Sequence, residues 1–335
     1  MRVVVVGAGA IARTHVGHLA ALGHEVAGVC DPVAERASAL ALTAGARAYA
    51  AWEPMLDTER PDAVFVCSPP ATHAEALLGA LDRRIPAYVE KPLARSLADG
   101  MAMVAAWEAA GCVCAVGYQW RSLDIVAAAR GALAGAQPGL MVSRSYGPTE
   151  PARGELAAAA GSWFADPARS GGILFELASH DVDLQLALGG PVDSVSATAT
   201  AGRLALAGRD PAGLHDVVAL TLRFRAGGVG AVCVGWTREG SAPVYGLDVL
   251  AADASLTLEL DPAPRLRGRA GGRDVVATDT ADPRRRSQER FFAAVARGAP
   301  EAVACTPRDA LGTLAVVLAA ETAIATGAVV AVAAL

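Results

Sequence analysis

The chain reads as an α/β protein of two domains: an N-terminal Rossmann-type, doubly wound parallel sheet and a C-terminal α/β domain with a large, mostly antiparallel open sheet. Three observations carry this reading. Over the first 120 residues, short apolar β-branched runs alternate with alanine-rich helical stretches, as a parallel sheet covered on both faces requires. After about Arg121 the runs lengthen, alternate apolar with polar residues and are joined by Gly- and Pro-rich turns, the signature of antiparallel strands. The length of 335 residues suits two cores at roughly 100–200 residues each. The boundary is placed at 121/122, giving one domain over 1–121 and a second over 122–335.

The elements follow in order. Strands are predicted at Val3–Val6, Glu25–Cys30, Arg47–Tyr49, Ala63–Cys67, Ala87–Val89 and Cys112–Val116. Between them helices are predicted at Ile11–Leu22, Val33–Thr43, Trp52–Leu56, Ala71–Arg83 and Leu97–Ala110; right-handed crossovers then give the doubly wound sheet. A helix over Asp124–Leu133 leads into strands at Leu140–Arg144, Val192–Ala199, Val217–Phe224, Val229–Trp236, Leu247–Ala251 and Ser255–Leu260. Arg225-Ala226-Gly227-Gly228 marks a hairpin between two of them. Helices over Asp282–Arg297 and Arg308–Thr326 and a strand over Ala328–Val332 close the chain.

Composition narrows the function. The net charge of −5 argues against a surface built for nucleic acid or an anionic membrane. Six scattered cysteines at 30, 67, 112, 114, 233 and 305, mostly inside apolar runs, read as buried thiols in a reducing, cytoplasmic compartment. Cys112 and Cys114 lack further flanking ligands, so no metal site is expected. The N-terminal apolar run is too short for a signal peptide. The apolar stretch from Ala310 onward, interrupted by Glu321 and several threonines, reads as a buried helix and strand, not a membrane span. Of 29 basic residues only Lys91 is lysine, leaving 28 arginines. An ammonium kept under such replacement is a candidate for chemistry that a guanidinium cannot do, because Lys is a compact donor with an adjustable pKa; chance is the alternative that composition leaves open.

Gly7-Ala8-Gly9-Ala10-Ile11-Ala12 follows the first strand and opens the first helix. The glycines permit a tight turn and a close approach of pyrophosphate to the amides of Gly9, Ala10 and Ile11 at the helix start. Asp31 ends the second strand, 19 residues beyond Ala12, where a carboxylate binds ribose hydroxyls and repels a 2′-phosphate. NAD is therefore favoured over NADP, a preference that Arg36 could soften. Glu90-Lys91-Pro92 stands at a strand's carboxyl end, the edge where open parallel sheets bind ligands. Ser68-Pro69 and His73 follow the neighbouring strand at that edge. Residues alone leave open an exposed Glu90–Lys91 ion pair. Further on, Gly171-Gly172 precede Glu176, His180 and Asp183, spaced to share one helix face. A carboxylate one turn from a histidine suits a general base; a metal pair and a purely structural histidine remain as alternatives.

Together these motifs resemble the Gfo/Idh/MocA oxidoreductases over essentially the whole chain. The resemblance implies an NAD(P)-dependent enzyme that moves a hydride between nicotinamide and a secondary hydroxyl or ketone of a sugar, cyclitol or glycoside. It implies that Lys91 hydrogen-bonds the reacting hydroxyl and that His180 is the general base. Glu176 stands where the family often has Asp, and would orient His180 or meet a substrate hydroxyl. The resemblance also implies that Ser68, Pro69, His73, Glu90, Lys91 and Gln119 lie at the cofactor, that Trp163 lies at the substrate, with Arg121 similarly placed, and that Asp183 fixes the histidine helix. A homodimer or homotetramer is expected by the same analogy. Two other activities stay open: NAD-dependent glycoside cleavage through transient oxidation, and a non-enzymatic NAD-binding regulator, against which the presence of both Lys91 and His180 counts.

Overall fold

A computed structural model of the chain describes residues 1–148, 166–202, 214–237 and 240–335. The chain divides into two compact units, 1–119 with 282–311, and 120–281 with 312–335. The first therefore includes Asp282–Leu311, which the continuous 1–121 and 122–335 division assigns to the second domain.

In the first unit, strands β1 (Arg2–Val6), β2 (Glu25–Cys30), β3 (Arg47–Tyr49), β4 (Ala63–Val66), β5 (Ala87–Val89) and β6 (Cys114–Val116) make one parallel sheet in the order β3-β2-β1-β4-β5-β6. Helices α1 (Ala10–Ala21), α2 (Ala34–Ala44), α3 (Trp52–Glu59), α4 (His73–Asp82) and α5 (Leu97–Ala110) connect them. The strand order reverses between β1 and β4, which creates a crevice at the carboxyl ends of these two strands. β1 and β4 are buried almost throughout, which is why they lack the alternation of a half-exposed strand. α6 (Asp124–Leu133) begins the second unit's helices.

The second sheet comprises β7 (Leu140–Pro148), β8 (Val192–Thr200), β9 (Val217–Phe224), β10 (Val229–Thr237), β11 (Val244–Leu250), β12 (Ala254–Asp261), β13 (Arg265–Ala270), β14 (Arg273–Thr278) and β15 (Val330–Ala331). Their order is β14-β13-β12-β11-β7-β10-β9-β8-β15. Among the described residues every strand pairing in it is antiparallel except β7 with β10. Gly228 in the β9–β10 hairpin has φ +90°, and a Cβ there would lie 2.3 Å from Pro138 O, so the turn requires glycine. β13 and β14 escape the apolar-run criterion because one is RLRGRA and the other RDVVAT. Arginines on an outlying strand blunt its tendency to pair with another chain.

The C-terminal segment supplies α8 (Pro283–Arg297) to the first unit. Phe291 and Phe292 join the cluster containing Val3, Val5, Phe65 and Tyr88, and Tyr88 Oη donates to Ser287 Oγ at 3.0 Å. This is the physical reason that residues 282–311 belong there. α9 (Pro307–Thr326) is long and apolar enough to span a membrane by composition, with 56% of its most apolar window buried; the division between units falls within it.

α7 (Ser179–Gly189), which carries His180, is preceded by a π turn at Leu174–Ala178. Its polar residues are buried, and several are engaged through at least one atom, while Asp181 Oδ2 and Gln185 Oε1 lack a hydrogen-bond partner. Ser179 Oγ donates to Phe175 O at 2.6 Å, and Gln185 Nε2 donates to Ser143 Oγ and Ala231 O, both at 2.9 Å. Asp181 is fully buried, with Ser145 Oγ donating to its Oδ1 at 2.9 Å. Burial pushes its carboxyl from the ordinary 3.8 up to about 7, against the hydrogen bonds from Ser145 and Ser143. Between these values the native state holds more protons than the unfolded chain, so stability falls as pH rises through that window and then levels off. Asp181→Asn removes this linkage: calorimetry is expected to show the variant gaining stability over the parent by on the order of 3 kcal/mol more at pH 8 than at pH 4. An equal difference at both pH values would mean that Asp181 does not carry the proton.

Candidate active site

In the first unit, the site grows from the end of β1. Gly7 has φ +93°, and a Cβ there would meet Cys67 C, Cys67 O and Ser68 N at 2.8 Å, so no side chain fits. Its N–H donates to Cys30 O at 2.7 Å. The next amide, Ala8 N–H, donates to Asp31 Oδ2 at 2.9 Å, while Val33 N–H donates to Oδ1 at 2.9 Å. Asp31 is thus held at the end of β2, and each carboxylate oxygen keeps a second lone pair for a ligand hydroxyl.

These residues fit a dinucleotide. The start of α1 has no side-chain cap and no acidic residue in its first turn, and a Cβ on Gly9 would meet nothing within 4 Å. Amides of Gly9, Ala10 and Ile11 at an open helix start suit pyrophosphate. Ala12, fully buried, gives the close helix–sheet packing expected of the third motif position.

At the ends of β4 and β5, two residues expected at the cofactor turn inward. His73 is fully buried; its Nε2 lies 2.8 Å from Ser68 O, and its Nδ1 lies 3.0 Å from Pro92 O and 3.3 Å from Leu93 O. Burial lowers its pKa, outweighing those carbonyl partners and Glu90. Its ring packs between the loop carrying Ser68-Pro69 and the loop carrying Lys91, and with one N–H on the neutral ring it donates to one of the two sides. Glu90, also buried, points to α1: its Oε1 lies 2.6 Å from His15 Nε2 and its Oε2 accepts Lys91 N–H at 3.1 Å. Burial opposes ionisation of this carboxyl, but the His15 hydrogen bond and the charges of Lys91 and Arg284 outweigh it and hold its pKa below the usual range. Lys91 itself is half-buried. Gln119 is buried in a short 3-10 turn, Gln119–Ser122.

The second unit carries Glu176, His180 and Asp183. Glu176 lies in the π turn, and His180 in the first turn of α7; π turns recur at functional sites because they redirect side chains within a helix. Glu176 and His180 are 5% and 8% exposed. The Trp120 ring lies 5.1 Å from the His180 ring and 5.9 Å from that of Tyr245, so aromatic packing bears on the imidazole. Asp183 Oδ2 accepts Arg121 Nε–H at 2.7 Å and Oδ1 accepts Thr313 Oγ–H at 3.0 Å. Asp183 thus anchors α7 through Arg121 and Thr313. Trp163 falls outside the described residues.

His15, Gln288, Trp120 and Thr313 were not singled out by sequence. His15 is one polar residue on the buried face of α1, and its partners stand 75 and 273 residues away; local periodicity carries no signal for them. Among the described residues, no three His, Cys, Asp or Glu side chains gather as a possible metal site.

The model of the Gfo/Idh/MocA oxidoreductase family, NAD-binding Rossmann fold, matches residues 1–118, and the Gfo/Idh/MocA C-terminal domain matches residues 141–256. Inositol 2-dehydrogenase 3 of Saccharopolyspora erythraea is 35% identical over 113 residues, 33% of each chain. The chain spans about a third of the length of the inositol dehydrogenases it matches. 1,5-Anhydro-D-fructose reductase of Ensifer adhaerens is 29% identical over 228 residues, 67% of this chain and 66% of that one. Levoglucosan dehydrogenase in complex with NADH and L-sorbose shares the fold at TM-score 0.85 and 19% identity, covering 100% of this chain and 99% of that one. UDP-N-acetylglucosamine 3-dehydrogenase from Acidithiobacillus ferrooxidans does so at TM-score 0.80 and 23% identity, covering 97% of both. The chain belongs to the Gfo/Idh/MocA oxidoreductase family, with an NAD-binding Rossmann domain at its N-terminus.

Proposed function

We propose that this chain catalyses NAD-dependent hydride transfer at a secondary hydroxyl or ketone of a sugar, cyclitol or glycoside. The observation that carries the reading is Lys91, the one lysine of the chain, at the carboxyl end of β5 beside the β1–β4 crevice. The names of the inositol, levoglucosan and anhydrofructose relatives support a polyol or sugar substrate.

Gly7, Gly9, Ala10, Ile11 and Asp31 would hold NAD, with Ser68, Pro69 and Gln119 along the same edge. Bound there, the nicotinamide supplies the hydride acceptor. Lys91 donates a hydrogen bond to the reacting oxygen, and its positive charge favours alkoxide character there. His180 accepts the hydroxyl proton on its imidazole, a group suited to moving protons near neutral pH. Glu176 orients His180 or meets a neighbouring hydroxyl; its length relative to Asp lets a carboxylate reach farther from the π turn. His73 holds the Lys91 loop in place. Trp163 remains a proposed substrate contact.

We also propose a cytoplasmic homo-oligomer, dimeric or tetrameric. All six cysteines are free, in keeping with a reducing compartment. On the sheet face turned away from α6 and α7, the central strands present Val142 and Ala231 in register, with half-exposed Leu140 and Val229 at the strand ends; a second copy would cover this small-residue strip.

Two measurements test these proposals. A panel of myo-inositol, levoglucosan and 1,5-anhydro-D-fructose, assayed with NAD and NADH, is expected to reveal turnover that Lys91→Ala lowers by about 10²–10⁴-fold with NADH affinity nearly unchanged. Lys91→Arg should also lose turnover, and near-parent activity in Lys91→Ala overturns the lysine's role. NADH accumulation separates net dehydrogenation from an enzyme that returns its hydride. Val142→Arg is expected to lower the mass measured by light scattering to that of a monomer; an unchanged oligomer places the subunit contact elsewhere.

A further inference from the structure

Glu90 occupies an unusual position for a carboxylate. Its side chain is 11% exposed and lies against Gly117, where a Cβ would stand 3.1 Å from Oε1. A buried anion needs donors. Here Lys91 N–H donates to Oε2, and His15, fully buried on α1, approaches Oε1 at 2.6 Å. The other ring nitrogen of His15 lies 2.6 Å from Gln288 Nε2 on α8. A carboxylate oxygen only accepts, so the His15 Nε2 that faces Glu90 carries a proton and donates it, while Gln288 meets the opposite side of the ring. The ring is wedged between Phe65 and Tyr88, at centroid distances of 5.5 and 5.4 Å.

We propose that His15, oriented by Gln288, is a positioning residue for Lys91: it fixes the Glu90 carboxylate, which in turn fixes the peptide from which the ammonium projects. β5 ends at Val89, so beyond it the Lys91 N–H finds its acceptor in the preceding residue's side chain. Two donors on two oxygens fix the plane of that carboxylate; with His15 gone, one remains, and the cheapest response is for Glu90 to take up a proton or rotate. Either response releases the Lys91 peptide. The inference rests on the proposed role of Lys91 in hydride transfer.

Because the chain has one lysine, Lys91 can be observed directly. Reductive methylation with ¹³C-formaldehyde labels it and the terminal amine alone, and ¹³C NMR on the whole protein without substrate reads its surroundings. His15→Ala is expected to move and broaden the Lys91 resonance, while His15→Gln, which returns an N–H donor near the Nε2 position, restores it. In unlabelled enzyme, kcat on whichever of myo-inositol, levoglucosan or 1,5-anhydro-D-fructose turns over falls about 10- to 100-fold in His15→Ala, with NADH affinity changed less and recovery in His15→Gln. An unchanged Lys91 resonance in folded His15→Ala overturns the inference. If melting shows His15→Ala to be unfolded, Gln288→Met carries the test: a Lys91 resonance shifted in that variant supports the relay, and an unshifted one overturns it. Near-parent turnover in Lys91→Ala would instead overturn the proposed chemistry, whatever the NMR shows of the relay.

Discussion

The absence of a side chain at Gly7 is the constraint on which the first unit's ligand edge depends. Backbone pressed against backbone at that distance brings the ends of β1 and β4 together, with Cys67 N–H donating to Val6 O at 2.7 Å. The following amide then reaches Asp31, and Asp31 reaches Val33, so β2 is tied to the same turn. The buried His73 ring packs between Ser68 on one side and Pro92 and Leu93 on the other, donating its single N–H to one of them. Each bond contributes only about 1 kcal/mol net, but in series they fix four strand ends relative to one another. Precision at this edge thus comes from backbone groups and one buried imidazole, leaving the exposed faces free to bind.

The second unit solves a different problem. α7 is a helix whose polar residues point inward on several sides, a cost that partners offset for all but Asp181 Oδ2 and Gln185 Oε1. Ser179, Asp181, Asp183 and Gln185 are matched to Phe175, Ser145, Arg121 with Thr313, and Ser143 with Ala231. Such pairing gives the helix one rotational setting, since turning it by even one residue breaks the whole set. His180 inherits that setting. The π turn before it supplies the phase change that lets Glu176 and His180 sit at the start of an otherwise regular helix.

Much of this was legible because it is local. The strands of the first sheet, the glycine turn and Asp31 lie close in sequence, and their patterns are set by periods of two and 3.6 residues. The hairpin at Gly227-Gly228 and the helices over Asp124–Leu133 and Leu97–Ala110 were visible for the same reason. β13 and β14 were not, since β13 is RLRGRA and β14, RDVVAT, is short and largely exposed, so neither buries enough apolar surface to mark itself. The inward turn of His73 and Glu90 was equally invisible: both sit among residues that face a ligand, and only the fold shows which side chain goes behind the sheet's edge. The allegiance of α8 rests on contacts some 200 residues apart in the chain, such as Tyr88 with Ser287, beyond the reach of any local pattern.

That allegiance has a consequence for how the molecule is made. A ribosome releases the chain from its N-terminus, and domains generally fold as they emerge. Here the first unit cannot finish when residue 119 appears, because Phe291 and Phe292 belong to its core and Gln288 to its buried polar chain. The nascent sheet must wait through the synthesis of more than 160 further residues, with an apolar flank exposed where α8 will dock. At roughly 5–20 residues per second that interval lasts on the order of ten to thirty seconds. The core of the first unit is therefore completed late, when residues 282–311 arrive, and not in the order in which the domains are written.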